Sequence, residues 1–266
     1  MIMKRIFFGA FCLLLLAGCI THQGSYKEKN ELALKQMKTM PLPRWMYQRP
    51  TGNYVIGLSH KTKDPAAMQD AAKQSAAVNL SRNTDAIAIV NTATANSSQM
   101  LSSGSAHFNL VVSASPQLLK QKFNALNLVD ECTYYENYIG LYSTTATSVG
   151  EQWTAETTQP RPSWADDLGL KLTDTQVISR AFGRSSDMIL AWDKAMDAAR
   201  QNIAQYLEKE VMGGVISTGT KVEKKISVET RIRVGKMCVS RSHVEAQIAN
   251  SLLSYFVYVE VVMDRK

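Results

Sequence analysis

Two stretches of the chain place apolar residues at helical spacing, and each follows a short β-branched run that ends in glycine. In the first, Met68, Ala72, Ala76 and Leu80 recur every four residues, which predicts a helix over 65–80. Asp64 stands at its N-cap position and Pro65 at the first helical position, where the missing N–H costs nothing. In the second, Met188, Ala191, Trp192, Ala195, Ala199, Ile203 and Tyr206 mark one face of a helix over 187–211, while Asp193, Lys194, Asp197 and Arg200 take the opposite, polar side. Ser185 or Ser186 is the expected N-cap, with Asp187 placed to meet the helix dipole, and Gly213-Gly214 is the expected end. The small residues Ala191, Ala195, Ala198 and Ala199 would let a sheet approach closely.

Around these helices the pattern alternates as in strands. In the first half the strand candidates are 54–57, 85–92, 126–130 and 138–144. A Ser/Gly-rich break falls at 96–105, and 107–122 is ambiguous between strand and helix. In the second half they are 177–183, 215–232, 236–248 and 254–262. Pro43-Arg44-Trp45 opens the first series and Pro162-Ser163-Trp164 the second. A period of about 120 residues means two copies of a domain, because solenoid units are much shorter. The expectation is an α+β protein of two tandem domains, 41–150 and 160–266, each one helix packed on a curved antiparallel sheet of about four strands.

The N-terminal pattern is different. Lys4-Arg5 precedes an apolar run, 6–17, that is too short for a comfortable transmembrane helix, and Leu16-Ala17-Gly18-Cys19 follows. This resembles the lipobox of bacterial lipoproteins, which implies a signal peptide over 1–18 and acylation of Cys19 as the mature N-terminus. Each buried lipid methylene contributes about 0.8 kcal/mol, so several acyl chains anchor firmly where one binds reversibly. Ile20 occupies the position where inner-membrane lipoproteins carry Asp, so the resemblance implies the outer membrane, with the body facing the periplasm. Residues 19–40 are polar and charged and read as a flexible tether, with a thin apolar stripe at Leu32, Leu34 and Met37 that could form a short helix.

Charge adds little. Lys and Arg number 30 against 23 acids. No basic cluster is interleaved with aromatics, so no nucleic-acid partner is expected. Beyond Cys12 and Cys19, only Cys132 and Cys238 remain. In an oxidising compartment they could pair or could stay as buried thiols, and neither has Cys-x-x-Cys spacing.

Candidate chemistry is sparse. Gly57-Leu58-Ser59-His60 lacks the second glycine of a hydrolase elbow. His22, His60, His107 and His243 are scattered, without metal spacing. Asp166-Asp167 beside Trp164 suggests a sugar platform, but Trp45 has no matching acid, which favours structural tryptophans. Tyr134, Tyr135, Tyr138 and Tyr142 fit either a β-hairpin's cross-strand packing or an exposed patch. No catalytic residue, cofactor or metal ligand is expected.

The lipobox, the Pro-x-Trp, the strand ending in glycine and the Ala-rich helix followed by strands together resemble the LPP-twenty lipoprotein family. Similar modules occur in periplasmic proteins that help build the flagellar base. The resemblance covers 41–147 and, more loosely, 160–264. The resemblance implies a helix packed on an antiparallel sheet, and with no catalytic group in the sequence the first reading is a non-enzymatic binding or assembly module that contacts membrane lipid through Cys19 and an envelope protein through its body. The alternatives are a periplasmic small-ligand binding protein and an enzyme acting on cell-wall polymer.

Overall fold

The structure is a computed structural model that describes residues 26–84, 87–92, 107–111, 116–217, 228–233, 236–249 and 251–265. The expected signal peptide, Cys19, His22 and the Ser/Gly-rich stretch 96–105 lie outside the described residues. The class is mixed α+β, and the described residues form open antiparallel sheets of two, three, three and four strands.

The first half is built outward from β2 (Tyr54–His60). After a short loop comes α3 (Pro65–Thr84), whose first amides, those of Ala66 and Ala67, donate to Asp64 Oδ1 at 3.0 and 3.2 Å. The chain returns through α4 (Pro116–Ala125) to the hairpin β5 (Asn127–Tyr134) and β6 (Asn137–Ser143). β6 pairs with both neighbours, so the strand order is β2-β6-β5. The strand faces alternate: Val55, Tyr138 and Tyr142 cluster with Ala72, Ala76 and Ala77 of α3, while Ile56, Leu58, Ile139 and Leu141 join a larger core on the other side.

The second half runs β8 (Gly169–Leu172), β9 (Gln176–Ser185), α6 (Met188–Ser217), then the hairpin β11 (Met237–Ala249) and β12 (Leu252–Asp264). The order is β11-β12-β9-β8. Here the last strand of the hairpin again pairs with the strand that precedes the helix. The cap of α6 is Asp187, not Ser185 or Ser186: Asp187 Oδ1 accepts the amides of Ile189 and Leu190 at 2.7 and 3.2 Å, and Ser185 Oγ accepts the amide of Asp187. A carboxylate satisfies two orphan amides and meets the dipole at once.

One glycine in each half meets a helix backbone. A Cβ at Gly57 would fall 1.9 Å from the carbonyl oxygen of Ala72, and one at Gly183 would fall 2.0 Å from that of Ala191. No L side chain fits there, so glycine is a packing requirement at both positions.

Several expectations are corrected. Strands β3 (Ile87–Thr92), β4 (His107–Val111) and β10 (Val228–Arg233) do not join the sheets under their helices. They form a sheet of their own, ordered β10-β3-β4, that joins the two halves. The first half's sheet therefore has three strands. Gly213-Gly214 lies inside α6 rather than at its end, since glycine costs a helix interior only about 1 kcal/mol. The ambiguous stretch 107–122 is a strand followed by a helix. Much of the expected tether is also ordered: residues 26–39 form α1, with Ala33 and Met37 in the main core and Asn30 Nδ2 donating to the Ser251 carbonyl at 2.8 Å. The stripe was too thin to signal packing, but two small or flexible side chains are enough when they meet a preformed surface.

The halves share a core. Trp45, Ile56, Leu58 and Leu141 cluster with Trp192, Met196, Val257 and Val259. The entry strand β1 (Leu42–Pro43) and helix α2 (Arg44–Tyr47) deliver Trp45 to this core, where its Nε1 donates to Asp130 Oδ2 at 2.7 Å. Two buried arginines cross between the halves. Arg49 donates to the Trp45 carbonyl and, at 3.0 Å, to Ser242 Oγ, and stacks 6.0 Å over Trp192. Held by neutral groups, its pKa is pushed by burial to about 9, so it stays charged at neutral pH. Arg200, expected on an exposed face, is fully buried. It donates to Asn79 and Asn83 of α3 at 2.9–3.0 Å and to Asp197 at 3.0 Å, because α3 packs over this one position while Lys194 and Asp197 on the same side of α6 stay exposed. Cys132 and Cys238 are free thiols.

Gly57→Ala or Gly183→Ala drives a methyl into helix backbone and is expected to cost about 1–3 kcal/mol, read as a lower denaturation midpoint in urea.

Candidate functional site

The face of the four-stranded sheet turned away from α6 is polar and aromatic. The register sets three rows across β9, β12 and β11: Arg180–Glu260–Arg241, Phe182–Tyr258–His243 and Arg184–Phe256–Glu245. Strand alternation puts every second residue on this face, while Val257, Val259 and Val261 turn to the core. A bulge between Val239 and Arg241 sets Arg241 opposite Glu260 and brings Ser240 within reach of the same carboxylate.

Glu260 is the hub of the charged row. It accepts from Arg180 Nε at 2.7 Å, Arg241 Nε and Nη2 at 2.8 and 2.7 Å, and Ser240 Oγ at 2.7 Å. Burial would raise its pKa, but the bonds from Arg241, Ser240 and Arg180 outweigh burial and hold it below the ordinary carboxylate value. Arg180 also reaches Asp167 at 2.9 Å, and Arg241 stacks 5.6 Å from the Trp164 ring.

The aromatic row continues this order. Phe182 and Tyr258 stack with centroids 6.1 Å apart, and His243 sits between Tyr258 at 6.3 Å and Tyr47 at 6.1 Å. Arg161 covers the Tyr258 ring at 4.5 Å while pairing with Asp166 at 2.7 Å and Glu245 at 3.2 Å. His243 is only 4% exposed and its Nδ1 has no hydrogen-bond partner. Burial pushes its pKa below 6.5; Glu245 acts upward and Arg161 downward. At neutral pH the ring is uncharged.

A connector borders this face. The segment between the halves carries a short helix, α5 (Glu151–Thr154), and strand β7 (Glu156–Thr157), which pairs with β1. Tyr47 Oη donates to the Thr157 carbonyl at 3.2 Å, and Arg44 lies 5.1 Å over Trp153. A cavity of about 400 Å³ lies on one side of the connector, lined by Lys38, Tyr47, Gln159, Arg161, His243 and Glu245. A second of about 430 Å³, lined by Arg44, Gln152, Trp164 and Arg241, lies on the other. Such mixed donors, acceptors and ring faces suit a polar partner more than an apolar one.

Ser59 Oγ donates to the Met68 carbonyl at 2.8 Å, and His60 pairs with Asp187 at 3.2 Å, so the two do not form a nucleophile and base. Asp166 and Asp167 are tied to Arg161, Lys171 and Arg180. Trp45 is buried, whereas Trp164 is partly exposed under Arg241; both sit one residue into a short helix whose N-cap is proline. Tyr134, Tyr138 and Tyr142 are buried in their hairpin rather than forming an exposed patch. Among the described residues no group of three His, Cys, Asp or Glu side chains is placed to hold a metal. The rows around Glu260 and His243 were missed, although Arg180, Phe182 and Arg184 and then Phe256, Tyr258 and Glu260 repeat with period two in sequence.

The chain matches no protein-family model, no curated protein and no solved structure.

Glu260→Gln removes the charge shared by two arginines and is expected to cost about 2 kcal/mol in urea unfolding. His243, faced by Tyr47, Tyr258, Glu245 and Arg161, has a folded pKa below its unfolded one. Its stabilising contribution is therefore complete above about pH 6.5 and is lost as pH falls through the folded value. The fall of the urea midpoint between about pH 6.5 and pH 5 should be shallower in His243→Gln than in the parent chain.

Proposed function

We propose that this chain is a lipid-anchored protein of a bacterial envelope, held through acylated Cys19, whose body is a non-enzymatic binding or assembly module. The observation that carries the reading is the ordered set Lys4-Arg5, apolar run, and Leu16-Ala17-Gly18-Cys19. Ile20 directs the anchor to the outer membrane, with the body on the periplasmic side. The resemblance to the LPP-twenty family points the same way.

The body is two copies of one module, each a helix on an antiparallel sheet. Three correspondences support duplication: Pro-x-Trp in a proline-capped short helix, a strand glycine against a helix carbonyl, and a final strand paired to the first. The copies have diverged in what covers the sheet face away from the helix. In the first copy that face is apolar and buried, and in the second it carries the arginine and aromatic rows. The second face, with Phe182 and Arg184 exposed, is where an envelope protein partner docks. A small polar ligand in the cavity beside His243 is the second reading, favoured by the unpartnered Nδ1.

Cys19→Ser abolishes metabolic labelling with palmitate and moves the protein from the membrane fraction to the soluble one. Labelling that persists in the variant overturns the anchor.

A further inference from the structure

The anchor and the docked helix α1 together define which side of the body meets the membrane. Seven Cα steps separate Cys19 from Tyr26, the first described residue of α1, and an extended chain spans at most about 3.6 Å per step. Tyr26 therefore lies within about 25 Å of the acylated residue, whatever path the intervening chain takes. A 22-residue flexible tether would have allowed the body to tumble freely; α1, fixed by Ala33 and Met37 in the core, removes most of that freedom.

At this corner the protein exposes large apolar side chains. Asn30 of α1 bonds the Ser251 carbonyl at the β11–β12 turn. Tyr26 (59% exposed) stands one helical turn before Asn30 and Leu252 (57%) beside Ser251, while Leu32 (59%), two residues on from Asn30, projects from the outer flank of α1. Lys27, Lys29, Lys35 and Lys38 surround them on α1 against Glu28 and Glu31, all of them exposed. Apolar tips beside an excess of lysine match the boundary between anionic headgroups and acyl chains, where basic residues are attracted to the surface charge.

We propose that the corner formed by Tyr26, Leu32 and Leu252 lies against the anionic surface of the bilayer that holds Cys19, so that the body is oriented and not merely tethered. This rests on the acylation of Cys19. The strand register then places the opposite end of the sheet away from the membrane. Leu172 pairs with Val177, and Val177 with Met263, which is eleven residues along β12 from Leu252. That is about 35 Å at strand rise. Leu172 is 51% exposed and serves as the distant control.

The test uses the full acylated chain with Cys238→Ser, leaving half-buried Cys132, and one of Leu32→Cys, Leu252→Cys or Leu172→Cys carrying a fluorescent dye. Each protein is reconstituted into phosphatidylglycerol and phosphatidylethanolamine vesicles with or without headgroup-proximal nitroxide lipid. The expected result is about a twofold loss of emission at positions 32 and 252 and none at 172, with the loss reduced when phosphatidylcholine replaces phosphatidylglycerol. Equal quenching at all three positions, or none at 32 and 252, overturns the inference. A blue-shifted dye at 252 without lipid quenching places protein on this corner and overturns it as well. The intact mass is measured first: a chain lacking acyl mass overturns the anchor reading and this inference together, whereas an acylated chain that shows no quenching overturns this inference alone.

Discussion

The contact between a strand glycine and a helix carbonyl governs the layering of this protein. At Gly57 and Gly183 the helix backbone lies so close to the sheet that even a methyl group would overlap it. Close approach demands small residues on the helix side, and Ala72, Ala76, Ala191, Ala195 and Ala199 supply them with no exposed surface. Burial of so many alanines releases little apolar area per residue, so the larger side chains must find their core elsewhere. They find it between the halves, where Trp45, Trp192, Met46, Met188 and Met196 are all nearly fully enclosed.

That shared core explains why two buried arginines are tolerated. A guanidinium has five donors in a fixed plane and can tie several elements together if each donor finds an acceptor. Arg200 joins α6 to the Asn79 and Asn83 amides of α3, and Arg49 joins α2 to β11 and to the Trp192 ring. Their desolvation costs stability, but each also fixes the relative placement of the two halves, which apolar packing alone specifies less sharply. The sheet formed by β10, β3 and β4 adds a third connection, made of backbone hydrogen bonds.

The same geometry separates the two sheet faces chemically. The first sheet packs α3 on one face and the shared core on the other, so its central strand β6 is buried along its whole length. The second sheet has α6 on one side only, and its other face accumulated Arg180, Arg241, Glu260, Tyr258 and His243. The period-two alternation that encodes this face is present in the residues, yet it looks like any half-buried strand. Pairing Arg180 with Glu260 and Glu260 with Arg241 depends on a bulge at Ser240 and on register between strands far apart in sequence. Neither is readable from a local pattern.

Local chemistry made some features legible from the residues alone. Helices α3 and α6, their alanine faces, the Asp64 cap, the hairpin of β5 and β6 and the α+β class all follow from periodicity within a few turns of chain. The sequence likewise determines the candidate lipobox, a linear motif whose reading needs no fold. Tertiary structure alone decided the rest. It buried Arg200, drew 26–39 out of the tether and onto the body, left Cys132 and Cys238 unpaired, and took 87–92 and 228–233 out of their own halves to pair with each other. In each case the deciding partner lies more than a hundred residues away or on a surface that exists only after folding. Hydrophobic patterning records which side of an element is apolar, but not which distant surface will cover its polar side.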